Sequence, residues 1–183
     1  IYQKAGLRGD YKEIPLKAHA HRADDILTAI RIAKEFDVNI TIDHGTEGHL
    51  ITDEIKASGY PVIVGTDLTS RSKLEVQNMN FKTCGIIQKA GILCAITTDH
   101  PVALIQSLPL CAGLAVKHGL PLEEGLRAIT INAAKICRVD DRVGSLKKGK
   151  DADIVIFSGN PMEIFTKTLY TIIDGKIIYD SHK

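Results

Sequence analysis

Val38-Asn39-Ile40-Thr41-Ile42-Asp43-His44-Gly45 is a run of β-branched residues that ends in an acid, an imidazole and a glycine. A short apolar run of this kind reads as a buried strand over Val38–Ile42, with polar groups emerging at its carboxyl end. The same pattern recurs on both sides. Upstream, Ile14-Pro15-Leu16-Lys17-Ala18-His19 reads as a strand behind a polar lead over Gln3–Lys12. Asp24 and Asp25 then suit a helix start, and Ile26, Leu27, Ile30 and Ala33 recur at helical spacing through Phe36. Downstream, a loop at Gly45–Gly48 leads to a helix over about Leu50–Ser58 that stops at Gly59. Pro61–Gly65 is a third strand. A polar segment from Thr66 to Thr83, long enough to be a functional loop, precedes a short helix near Gly85–Ala90. Leu93–Thr97 is the fourth strand. An apolar helix over Val102–His118, kinked at Pro109, follows it, with further helices over Leu122–Thr130 and Ala133–Cys137.

Strands alternating with helices at this spacing predict an α/β fold with a parallel sheet. From Gly144 the texture changes. Gly144-Ser145-Leu146-Lys147-Lys148-Gly149-Lys150 is turn-like and reads as a surface connection, and Ile154–Phe157 is a strand. Asp174-Gly175 between Leu169–Ile173 and Lys176–Tyr179 is a hairpin signal. The chain is therefore expected to divide into a β-α part over residues 1–140 and a small β part over residues 141–183.

Composition removes several functions. The 183 residues carry 23 Lys+Arg against 22 Asp+Glu, a formal net charge of +1. That balance gives no electrostatic footprint for nucleic acid or an anionic membrane. No apolar run approaches the roughly 18 residues of a spanning helix, and a soluble, cytoplasmic protein is expected. Cys84, Cys94, Cys111 and Cys137 lack paired spacing, so buried reduced thiols are expected rather than disulfides or a zinc ribbon.

The residues that carry chemistry are His19, His44 and Asp99. Each stands at the carboxyl end of an expected strand, where parallel α/β folds and barrels place their active sites. Two imidazoles and a carboxylate are the ligand types of a divalent metal site, Zn²⁺ first, with Fe²⁺, Mn²⁺ or Co²⁺ also compatible. At roughly 30 residues per barrel unit, His19 to His44 is one unit and His44 to Asp99 is two, so the three sit on strands n, n+1 and n+3. His21 lies on the same side of its strand as His19, because side chains alternate with period two.

That order resembles the amidohydrolase superfamily of metal-dependent hydrolases. The resemblance is carried by Lys17-Ala18-His19-Ala20-His21, Ile42-Asp43-His44-Gly45 and Thr97-Thr98-Asp99-His100-Pro101. The tail carries it further, with Ala128-Ile129-Thr130-Ile131-Asn132-Ala133-Ala134-Lys135 followed by Val143–Val155. It covers nearly the whole chain and is strongest to the imidazolonepropionase-like branch.

The resemblance implies strands 5–8 of a (β/α)₈ barrel followed by the carboxyl-terminal strands of a flanking β-sandwich. It implies that His19 and His44 hold a metal. Asp99 would be a ligand or water partner and the general base. His21, His100 and Arg71 would serve the substrate or support the ligands, and Arg71 and Lys73 could meet a substrate carboxylate. It implies hydrolysis of an amide or cyclic amide C–N bond in a small molecule. The family's strand-1 His-x-His pair and strand-4 ligand have no counterpart here. The chain alone is therefore expected to be an inactive carboxyl-terminal half with an incomplete metal site. Its expected partner is a second copy or the amino-terminal half of the same protein. The competing expectation is a free-standing binding or assembly domain whose His and Asp residues are structural. His49, His118 and His182 read as cap or surface residues.

Overall fold

A computed structural model describes residues 14–183, and the expected polar lead over Gln3–Lys12 lies outside those residues. Four parallel strands form one sheet in sequential order: β1 (Leu16–Ala20), β2 (Ile40–His44), β3 (Val62–Val64) and β4 (Cys94–Ile96). Between and after them run α1 (Ala23–Glu35), α2 (Thr52–Ser58), α3 (Thr83–Lys89), α4 (Leu108–Lys117), α5 (Leu122–Ala128) and α6 (Ile131–Ile136).

The sequence pattern explains these elements. Ile26, Ile30 and Ala33 form the buried stripe of α1, which packs on β1 and β2. Asp24 and Asp25 in its first turn and Lys34 in its last complement the helix dipole. Gly59, at φ 76°, closes α2 in the left-handed conformation that glycine adopts without penalty. Ile26, Ile42, Ile55, Ile87 and Val62 are fully buried at the centre of the core. Each contributes about 1.5–3 kcal/mol by leaving water.

The expected Val102–His118 helix is corrected. Ile105–Ser107 is a single 3₁₀ turn, and the α-helix begins at Leu108. Pro109 falls in its first turn, where the missing N–H has no helical partner to lose, so it starts the helix instead of kinking it. All four cysteines are free; Cys84, Cys94 and Cys111 are buried and Cys137 is exposed.

A separate antiparallel sheet holds β5 (Ile154–Phe157), β6 (Thr168–Ile173) and β7 (Lys176–Asp180). Asp174 at φ 49° and Gly175 at φ 74° make the left-handed two-residue turn that the hairpin signal predicts. No residue of these three strands is buried. The connection between β5 and β6 nonetheless reaches the main core through Met162, which is 7% exposed. A Cβ on Gly113 would lie 2.7 Å from the Met162 carbonyl oxygen, so α4 meets that segment at backbone distance. Among the described residues no helix is long and apolar enough to cross a membrane.

Candidate metal centre

Strand register builds the site. Lys17 pairs with Thr41 and His19 with Asp43 across β1 and β2, so these four share the face opposite the apolar core. Lys17 and Asp43 form an ion pair at 3.1 Å, and Thr41 Oγ1 donates to Asp43 at 2.8 Å. Ala20, Ile40 and Ile42 fill the other face and are buried. Simple alternation would send His44 after Ile42 into that core. Instead His44 has φ 75°, and this left-handed turn brings its ring to His19 (centroids 4.2 Å) and His21 (4.5 Å). Gly45 continues the turn at φ 52°, where a Cβ would lie 2.5 Å from Val62 Cγ1.

His44 is 7% exposed and its hydrogen bonds fix its tautomer. Nδ1 lies 2.6 Å from the Gly65 carbonyl, which can only accept, so Nδ1 carries the proton. Nε2 is left with a lone pair, 3.1 Å from His19 Nδ1. His21 follows β1 and places Nδ1 2.8 Å from Thr46 Oγ1. Its pKa is lowered to about 4, first by burial and then by the neighbouring His44 and His19 rings. The neutral form, the one that ligates metals, is therefore favoured at that ring.

Ring nitrogens of His19, His21 and His44 all lie within 4.8 Å of one another. Three imidazoles are the protein ligand number of a catalytic zinc, whose tetrahedral shell separates nitrogens by about 3.3 Å at Zn–N distances near 2.0–2.1 Å. The 3.1 Å contact between His44 and His19 suits that edge. The Gly65 carbonyl on His44 is the outer hydrogen bond that orients a ligating imidazole. The donor set thus fits a divalent metal.

The remaining sequence-predicted residues are not members of this three-imidazole group. Asp99, at φ 49°, is exposed on the turn after β4, its amide donating to Thr97 Oγ1 at 3.1 Å. It is not part of the three-residue ligand group, which takes His21 instead. His100 is exposed beside it. Arg71 donates to the Met79 carbonyl at 2.8 Å and lines a cavity of about 320 Å³ with His49, Gln77 and Asn78. His49 is half-buried, with Nδ1 3.1 Å from both the Thr46 carbonyl and Thr83 Oγ1. His118 is also half-buried, its Nδ1 2.8 Å from the Leu114 carbonyl, while His182 is exposed as expected.

Sequence reasoning missed Glu47, which ties together the loops around the cluster. Glu47 is 9% exposed, and its carboxylate accepts from the Ala23 amide at 2.7 Å and from Asn78 at 2.7 Å. Burial pushes that carboxyl up, but the two hydrogen bonds and nearby Arg22 outweigh it and hold the pKa below the usual range. Burial raises Asp67 to about 6. Thr66 Oγ1 is buried without a hydrogen-bond partner. An acid three residues after a strand-end His was the signal for Glu47, and Thr66 and Asp67 open the polar segment that the sequence reads as a functional loop.

The model of the amidohydrolase family matches residues 10–179. An amidohydrolase of Hapsidospora irregularis, tasK, is 24% identical over 180 residues, 96% of this chain and 18% of that protein. An imidazolonepropionase of Syntrophobacter fumaroxidans is 42% identical over 72 residues, 38% of this chain and 17% of that protein. The crystal structure of an amidohydrolase from Thermotoga maritima superposes with a TM-score of 0.91 at 42% identity, covering 97% of this chain and 45% of that one. The chain thus spans under half the length of these relatives.

Proposed function

The chain belongs to the amidohydrolase family and is imidazolonepropionase-like, and from that premise we propose that it contributes the metal-holding carboxyl-terminal half of a hydrolase acting on C–N bonds. In this reading β1–β4 are strands 5–8 of a (β/α)₈ barrel, and β5–β7 belong to a flanking sandwich. The single observation that carries the function is the convergence of His19, His21 and His44, with the bond to Gly65 leaving the His44 Nε2 lone pair turned towards His19 Nδ1.

His19 and His44 would hold the metal, with His21 completing the imidazole set. When bound there, a divalent metal would lower the pKa of a water towards about 7 and polarise the scissile carbonyl. Asp99 takes the proton from the attacking water and returns it to the leaving nitrogen. Asp99 stands exposed on the turn after β4, at the same end of the parallel sheet as the imidazoles. Arg71, on the rim, offers a guanidinium fork to a substrate carboxylate, and His100 lies beside Asp99 at the mouth. The substrate is a small amide or cyclic amide, and Zn²⁺ is the first expectation by ligand type.

The experiment measures release of amine or carboxylate from N-acyl amino acids and cyclic amides by the longest natural polypeptide that carries this sequence. Asp99→Asn is expected to lower the rate by about 10²–10⁴. A variant as fast as the wild type removes Asp99 from the chemistry. A wild type that opens none of these bonds contradicts the hydrolase reading.

A further inference from the structure

His21 stands one residue beyond β1, where the strand ladder no longer fixes it. What holds it is the segment after His44. Gly45 N–H donates to the Ala20 carbonyl at 3.0 Å, Glu47 N–H donates to the His21 carbonyl at 2.8 Å, and Thr46 Oγ1 meets the His21 ring. The Glu47 side chain then reaches past His21 to the Ala23 amide at the start of α1, and across to Asn78 in the loop after β3. One nearly buried carboxylate therefore joins three successive βα connections at the rim that carries the imidazoles. Its two oxygens are divided between two donors.

We propose that Glu47 is a positioning residue for the imidazole cluster, acting through the backbone of Ala20–Ala23 and through Asn78 to fix His21 against His19 and His44. The proposal rests on the metal-site reading above. It goes beyond that reading by assigning the order of the cluster to a carboxylate that touches neither metal nor substrate. Freed from the clamp, the His21 ring samples positions outside ligand range, and metal binding must order it at a cost in affinity.

The test uses this chain and Zn²⁺, with affinity read by competition against a chromophoric chelator. Glu47→Leu removes both acceptors while keeping much of the side chain's bulk. It is expected to weaken Zn²⁺ binding by about 10-fold, the lower end for an outer-shell partner. Glu47→Gln still accepts from the Ala23 amide, and its NH₂ meets the Asn78 side-chain oxygen once that amide flips, so it is expected to keep most of the wild-type affinity. Wild-type affinity in Glu47→Leu, or a Gln variant as weak as the Leu variant, overturns the proposal. A second readout is the imidazole ¹⁵N spectrum of the metal-free protein. One His21 tautomer in the wild type and in Glu47→Gln, mixed in Glu47→Leu, supports the clamp; no change among the three overturns it. A wild type that binds no Zn²⁺ sinks the metal-site reading alone and leaves the clamp to be decided by the spectrum.

Discussion

The His44 ring donates its Nδ1–H to the Gly65 carbonyl at 2.6 Å, so a glycine at the end of β3 sets the tautomer of an imidazole at the end of β2. Gly65 has φ 122°, and a Cβ there would lie 2.5 Å from the Thr97 carbonyl oxygen. Gly65→Ala is therefore strained in its backbone and crowded against β4. The substitution is expected to cost more than about 1 kcal/mol, read as a lower urea midpoint. Because the carbonyl moves with the strain, zinc affinity is expected to fall with it. A variant with unchanged midpoint and affinity would show that the carbonyl does not hold the ring.

His21 and Asp67 give opposite pH signatures. The His21 pKa is lowered to about 4 by burial and its two neighbouring imidazoles, so below about 6.5 the unfolded chain binds a proton that the fold refuses. Its contribution is complete above that pH and is lost as pH falls towards 4. In metal-free protein, His21→Asn is expected to flatten the decline of the urea midpoint across this window. An equally steep decline in the variant would mean that His21 is not the group responsible.

Burial raises Asp67 to about 6, so its ionised form opposes folding at neutral pH. That opposition eases as pH falls from 6 to about 3.8, where both states are protonated. Asp67→Asn is accordingly expected to be more stable than the wild type at pH 8, with the gap closing by pH 4. A gap that is constant with pH would assign the difference to packing.

Association is the expected state in solution. Ile177 and Ile178 on β7 are 60% and 63% exposed, and Phe165 in the β5–β6 connection is 91% exposed. Among the described residues no position of these three strands is fully buried, and exposed apolar strands invite pairing. Light scattering is expected to show a mass that rises with concentration. A clean monomer at high concentration would count against pairing with a second copy.

The alternating strands and helices were legible because burial on both faces leaves continuous apolar runs such as Val62–Val64, and because Gly59 and Asp174-Gly175 punctuate them. Element ends were less legible. Pro109 is compatible with a kink or a first turn, and only the 3₁₀ turn before it decides between them. In the site, His19 and His44 were expected together from their strand-end places, and period two put His21 beside His19 as a supporting residue. The left-handed backbone that turns the His44 ring to the other two is what a residue string does not display. Asp99 was expected among the ligands, whereas the structure groups His21 with the other two imidazoles. The Glu47 clamp escaped notice because its partners, Ala23 and Asn78, are far from it in sequence and unremarkable in type.

The most direct measurement is the metal content of the purified chain after loading with Zn²⁺ and desalting, by plasma mass spectrometry, for the wild type and His44→Ala. The account predicts about one equivalent in the wild type, the occupancy of a three-imidazole site, and little in the variant. A wild type that retains no metal, or a variant that retains as much as the wild type, would contradict the claim that these imidazoles form a metal centre.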